Sequence, residues 1–314
     1  MREEKRDFLI IINEADSGRR LDTVIAKHVP DCSRSFAATL IRNNKIKIKG
    51  AAKKPGYRLK QGDEIMGHMP MPVPTSFEPQ PIPIDVLYND EDIIVINKHA
   101  GLVVHPAPGH NTGTLVNALL YHCPDLKNVG CEIRPGIVHR LDKDTSGAIV
   151  VAKNNHAHIH LSFQFKSRKI VKTYLAVIHG KIDGQAGIVE LPIGRHPTDR
   201  KRMSANSRNG RGAVTAWSVR KRLQGATLIG VNLQTGRTHQ IRVHCAAIHH
   251  PVIGDSVYGP RKMQKNISEI IKSVSRQMLH AWRLELTHPG TGKRMLFEAP
   301  VPDDMLQLID SLKL

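Results

Sequence analysis

HRLDKDTSG (139–147) places His139, Arg140, Asp142, Lys143 and Asp144, five side chains that are charged or can be, within six positions. It lies between GIV (136–138) and AIVVAK (148–153), apolar runs that read as buried β-strand. Charge is costly to bury unless it is paired or used. The segment is therefore a solvated turn or a working site, and the sequence around it decides.

The 314 residues suffice for two domains and a sizeable core. The chain is 40% hydrophobic, so it should fold, and only 4% aromatic, so base stacking cannot rest on many rings. Its formal net charge is +18, from 46 Lys and Arg against 28 Asp and Glu. The surplus is clustered. Nine basic residues and no acidic one lie between Arg34 and Lys60, and nine between Arg195 and Arg222 oppose Asp199 alone. Such clustering points to a polyanion, with nucleic acid the first candidate. Cys32, Cys123, Cys131 and Cys245 form no CxxC pair, which argues against a zinc ribbon or disulfide framework and fits a reducing compartment. The opening MREEKRDF lacks the apolar core of a signal peptide, and no run approaches membrane-spanning length. A soluble cytoplasmic protein is expected.

The clearest boundary is MPMPVPTSFEPQPIP (69–83), with six prolines in fifteen residues, a density that favours extended chain and excludes helix. The expected organisation is a basic domain at 1–68, a linker at 69–83 and a larger domain at 84–314. In the first, Leu21, Val24, Ile25 and Val29 fall at helical spacing. Ser33 or Ser35 is placed to cap a second helix carrying Phe36, Leu40 and Ile41. KIKIKG (45–50) alternates as a half-buried strand does, so Lys45, Lys47 and Lys49 should share an exposed face suited to phosphates. A merely solvated strand fits that motif equally well.

Beyond the linker most segments read as short strands: EDIIVINK (91–98), GIVHRL (136–141), AIVVAK, KTYLAVIHG (172–180), AVTAWSV (213–219) and TLIGVNL (227–233). RLELTHPGTGKRMLFEAP (283–300) reads as a hairpin turning on Pro289 to Gly292. Helices are expected from the Thr114 cap through TLVNALLYHC, within 154–168, and in DDMLQLIDSL near the end. Strands without regular βα alternation predict an α+β fold around a mainly antiparallel sheet.

Three stretches carry chemistry: RPGIVHRLDKDTSG (134–147) centred on Asp142, KTYLAVIHG with Tyr174 in an apolar strand, and TGRTHQIRVH (235–244). The last opens a helix with His239 and Arg242 near its first turn and Ile241, Cys245 and Ile248 facing the core. The first resembles the signature of the RluA-type pseudouridine synthases, and the likeness continues through the other two to GDSVYG (254–259). NKHAGLVVHP (97–106) matches the family's strand-turn segment, except that His99 stands where proline is usual. The basic N-terminal unit is similar to the small RNA-binding domain named after a ribosomal small-subunit protein. With RHPTDRKRMS (195–204) and LHAWRLELTHP (279–289), the chain looks most like the RluD subgroup, which modifies large-subunit ribosomal RNA.

The resemblance implies that Asp142 is the essential aspartate, acting on a uridine whose bond from ribose to base nitrogen breaks and reforms through carbon 5. Direct attack on the anomeric carbon and an elimination giving a glycal both remain open. Either way positive charge develops on the sugar, which a carboxylate stabilises. Arg242 matches the arginine paired with that aspartate, and a guanidinium offsets the cost of keeping a buried carboxylate charged. Tyr174 matches the tyrosine that packs on the target base. Arg140 matches the residue that fills the space left when the base flips out of the RNA. His139, Arg237, Arg200 and Arg202, with Lys45, Lys47 and Lys49, are the remaining expected RNA contacts.

Each residue alone also has a plain reading. An aspartate in a turn is usually a turn residue, a strand tyrosine is usually core, and an arginine can answer a surface acid. Their joint appearance in family order favours catalysis. His156, His158 and His160 alternate, but nothing completes a zinc set, and no metal is expected. Asp142-Lys143-Asp144 resembles a magnesium-holding pair, yet lacks a phosphate-cradling glycine loop, which leaves a metal-dependent nuclease a weak rival. A non-catalytic RNA-binding assembly factor and a synthase acting on transfer RNA are two stronger rivals. No cofactor is expected, because the reaction rejoins the two fragments it makes. Structured RNA is the expected partner of a monomer with no obligate protein partner and no membrane.

Overall fold

The structure, a computed structural model, describes residues 5–29, 32, 34–70, 78–106, 112–131, 134–199, 202–207, 209–260 and 268–314. The chain divides into two units, residues 1–76 and 77–314, each with its own core.

In the first unit β1 (Lys5–Ile11), β2 (Ile46–Ile48) and β3 (Glu64–Pro70) form an antiparallel sheet in the order β1-β3-β2. Helices α1 (Leu21–His28) and α2 (Arg34–Arg42) supply Leu21, Ile25 and Ile41 to a core shared with Ile46 and Ile65. Phe36 is 38% exposed rather than core, because it borders the α2 face centred on Ala37, Leu40 and Ile41. Ser33 lies outside the described residues, and Ser35 sits inside α2, so it is not the cap. The alternation of KIKIKG survives only in β2, where Lys47 is exposed between buried Ile46 and Ile48. Lys45 and Lys49 flank that strand, and Lys49 turns away at a φ of 44°, so the three exposed lysines do not share one strand face. The expected linker start also falls inside a strand, since β3 runs through Met69 to Pro70. Proline is tolerated there as the end of a strand.

The second unit begins with β4 (Asp85–Asn89) and β5 (Ile93–Lys98), followed by α3 (Leu115–His122), whose Thr114 forms a capping box with Asn117. After the small ladder of β6 (Gly130–Cys131) and β7 (Arg134–Pro135) come β8 (Ser146–Ala152), α4 (Asn155–Lys166), β9 (Val171–His179) and β10 (Ala186–Glu190). A second small ladder, β11 (Gly194–Arg195) with β12 (Met203–Ser204), precedes β13 (Val214–Leu223), β14 (Ala226–Leu233) and α5 (Gln240–Ala247). Short α6 (Glu269–Lys272), the hairpin β15 (Leu279–Thr287) and β16 (Arg294–Glu298), and α7 (Asp303–Ser311) complete the unit.

The main sheet has the order β10-β13-β14-β9-β15-β8-β5-β4, with β16 beside β15. Every neighbour is antiparallel except β15 and β8, so this is the α+β, mainly antiparallel architecture that the sequence pattern predicts. Alternate residues of β9 serve opposite faces. Tyr174, Ala176 and Ile178 join one core, while Leu175 and Val177 join the core under α7. Ile241 and Cys245 seat α5 on the Tyr174 side.

GIVHRL is not a strand. β15 pairs with β8 only through His280↔Ser146 and Ala281↔Gly147. Beyond that point residues 136–139 cover the remaining edge of β8. Ala152 N–H donates to Gly136 O at 2.9 Å, and Val150 N–H donates to His139 Nε2 at 3.0 Å. The charged segment thus follows an irregular edge cover and emerges where the two halves of the sheet meet. Gly147 is required there: its φ is +114°, and a Cβ would lie 2.2 Å from Ala281 O.

Candidate active site

Residues 138–142, β9, the end of α4 and the turn from β14 into α5 enclose a cleft of about 530 Å³. The turn is fixed by one side chain. Buried Gln240 accepts from Thr235 Oγ1 (2.8 Å) and Arg237 N (3.0 Å), and donates to Val214 O and Thr215 Oγ1. His239 then opens α5 at a φ of 57°.

One turn later Arg242 points back to the charged segment. Its Nη1 donates to Asp142 Oδ2 at 2.9 Å, joining residues 100 positions apart. Its Nε and Nη2 hold Asp255 bidentately at 2.7 and 3.0 Å. Asp255 is wholly buried and also accepts from Val257 N and Tyr258 N, both at 2.9 Å. Burial works against the Arg242 charge, but Asp255 and then Asp142 outweigh it and raise the guanidinium pKa. Asp142 keeps 18% exposure on the cleft side. A carboxylate held from behind by a fixed cation, and open in front, can meet charge developing on a substrate.

Tyr174 lines the same cleft. Burial, then Asp142, raise its pKa, so it presents a phenol to whatever occupies the cleft. His239 Nε2 stands 3.8 Å from Asp142 Oδ1, and its Nδ1 is 2.8 Å from Tyr258 Oη. Tyr258 accepts from Met203 N at 2.9 Å and lies under both Arg242 and Arg202.

The structure therefore brings Asp142, Tyr174 and Arg242 together. Arg140 is exposed at the cleft, and Arg237 lines it while its Nε donates to Gly212 O. His139 is half-buried and stacks on Phe165 at 4.6 Å. Burial, then Lys172, push its pKa down to about 3, so it is a neutral buttress that accepts from Val150 N. Arg202 packs over Tyr258 instead of standing free on the rim, and Arg200 lies outside the described residues. Lys45, Lys47 and Lys49 are exposed on the other unit.

Lys98 ends a strand within NKHAGLVVHP, a segment of the resemblance that assigns it no role. It is wholly buried, and its Nζ donates to His99 O, Leu102 O and Lys143 O at 2.8–2.9 Å. It ties the turn that carries Asp142 to the loop after β5. Burial pushes its pKa down to about 7, while Asp144 and Asp142 pull it back up. Lys98→Met leaves carbonyls unpaired and should cost about 2–3 kcal/mol in urea unfolding, with turnover down roughly tenfold as the turn loosens. An unchanged unfolding midpoint would show that the tripod holds nothing.

Residues 92–247 match the family model described as RNA pseudouridylate synthase, and residues 19–65 match the S4 domain. The Bacillus subtilis protein named uncharacterized RNA pseudouridine synthase YlyB is 42% identical over 304 residues, 97% of each chain. The ribosomal large subunit pseudouridine synthase D of Pseudomonas aeruginosa is 42% identical, covering 94% of this chain and 92% of that one. Among solved structures, human RNA pseudouridylate synthase domain containing 4 superposes with a TM-score of 0.57 at 26% identity, over 72% of this chain and 93% of that one. A likeness of this extent, on a sheet carrying this cleft, makes the chain a member of the RNA pseudouridine synthase family.

Proposed function

We propose that this pseudouridine synthase isomerises particular uridines of large-subunit ribosomal RNA, with Asp142 as its catalytic carboxylate. The observation that carries the mechanism is the Arg242–Asp142 hydrogen bond at the cleft. A flipped uridine enters beside Tyr174, whose ring packs on the base, and Arg140 takes the vacated place in the RNA. Asp142 then attacks the anomeric carbon, or accepts the proton whose loss gives a glycal, while the electrons of the carbon–nitrogen bond leave with the uracil. The base turns and carbon 5 bonds to the anomeric carbon, displacing the Asp142 carboxylate on the first route, or with Asp142 returning its proton to ribose carbon 2 on the second. Carbon 5 then loses its proton and the ring nitrogen is protonated. Substrate and product have the same atoms, so the reaction calls for no cofactor. The large-subunit target rests on the names of relatives such as the Pseudomonas protein. The test is release of tritium from carbon 5 of uridine in a bacterial large-subunit RNA transcript. Release from transfer RNA alone would move the target, and release from neither would favour a binding-only assembly factor.

The first unit, with β3 running to Pro70, is proposed as the RNA-binding domain, residues 71–83 as its linker and 84–314 as the catalytic domain of a cytoplasmic monomer. The S4 match supports the first assignment. Exposed Lys47 and Lys49 then serve phosphates. The double substitution Lys47→Gln, Lys49→Gln should flatten the slope of log affinity against log salt by about 1.4, with turnover on saturating RNA unchanged. An unaltered slope removes these lysines from the RNA interface.

A further inference from the structure

Cleavage of the glycosidic bond leaves the electron pair on uracil, spread over its nitrogen and two carbonyl oxygens. Asp142 and Arg242 answer the sugar; the departing base needs a cation of its own. Lys172 lies two residues before Tyr174 in β9, so both side chains project from the same face of the strand, and both line the cleft. Its ammonium sits 5.8 Å from the Phe165 ring centre and 3.8 Å from the Cβ position of Gly236, in the turn between β14 and α5. Among the described residues it has no carboxylate or hydrogen-bond partner, and only burial acts on its pKa, pushing it down. Arg242, by contrast, is committed to two carboxylates. Half-burial at the cleft leaves the ammonium with a phenyl ring beside it and no carboxylate to offset its lost hydration. It gains a partner when negative charge arrives in the cleft.

We infer that Lys172 is a catalytic residue whose ammonium stabilises the negative charge on the uracil oxygens as the base departs. No proton need move to it; the charge disappears when carbon 5 bonds to the sugar and the nitrogen is protonated. The inference rests on the pseudouridine synthase reading with Asp142 as carboxylate.

The test is single-turnover tritium release from carbon 5 of a large-subunit RNA transcript, with affinity for that transcript measured separately. Lys172→Met should lower the rate constant about 100-fold with affinity within about threefold, the pattern of a contact made mainly in the transition state. Lys172→Arg should restore most of the rate. Loss of the unpartnered charge should also raise the melting temperature of Lys172→Met by a few degrees, roughly 3 °C, and Lys172→Gln serves if Lys172→Met does not fold. An unchanged rate constant with weaker binding and a shallower salt slope would identify a phosphate contact and overturn the inference. So would a rate deficit that Lys172→Arg does not relieve. If wild type releases no tritium, the functional reading falls and takes this inference with it. Release by wild type and an unimpaired Lys172→Met overturns the inference alone.

Discussion

Asp142→Asn should abolish tritium release from carbon 5 of large-subunit RNA, by at least about 10³-fold, while the variant still binds that RNA and folds normally. Loss of a charge that meets the developing cation on ribose removes about 4 kcal/mol or more of transition-state stabilisation. Asparagine has the shape of aspartate and keeps an oxygen for Arg242 Nη1, now 2.9 Å from Asp142 Oδ2. Arg242 retains its bidentate bond to Asp255, so the buried charge pair survives. Stability should therefore shift by less than about 1 kcal/mol. An Asp142→Asn protein that releases tritium at a tenth of the wild-type rate would move catalysis to another group. His239, 3.8 Å from Asp142, would be the next to replace.

Much of this site is legible in the sequence because chemistry constrains residue type more tightly than packing does. Asp142, Tyr174 and Arg242 sit in three distant segments, and only their joint order marks them before the fold is known. What the order does not reveal is how the charged segment escapes the sheet. GIVHRL has the apolar content of a strand, but β15 stays with β8 for only two residues, and the segment becomes an edge cover held by Gly136 and His139. Whether a neighbouring strand diverges is a tertiary fact that local pattern cannot carry. Lys98 and Asp255 are silent for a related reason. A lysine ending a strand and an aspartate after a glycine are common surface residues, and their burial depends on elements far along the chain. Both could be suspected, since NKHAGLVVHP and GDSVYG belong to the resemblance, but neither motif says what its side chain holds. The lysines of KIKIKG mislead the other way, because the alternation stops where Lys49 takes a positive φ.

Arg242→Met should be inactive and also the least stable of these variants, and the two losses should separate. Arg242 serves two carboxylates: Asp142 faces the cleft at 18% exposure, and Asp255 is fully enclosed. Removing the guanidinium leaves Asp255 as an uncompensated buried charge, eased only by Val257 N and Tyr258 N, at a cost of about 3–5 kcal/mol. In the wild type, burial would raise the Asp255 pKa, but Arg242 overrides it and holds the carboxyl below its ordinary range. Asp255 thus contributes stability above the unfolded-state carboxylate range, and that contribution fades as pH falls through its lowered pKa. Without Arg242 the burial effect prevails and the sign reverses. The folded variant then binds a proton more readily than the unfolded chain, so its deficit against wild type should be widest near neutral pH and narrow towards pH 4–5 on the ordinary carboxylate scale. Adding Asp255→Asn removes the stranded charge and should recover about half of the lost stability, because the amide still meets the two backbone donors. It should recover no tritium release, since Asp142 still lacks the cation that holds it. A double variant that regained activity would show that Arg242 acts through the fold alone. A double variant that stayed inactive while its melting temperature rose would assign the guanidinium two separable tasks, with catalysis on the Asp142 side and stability on the Asp255 side.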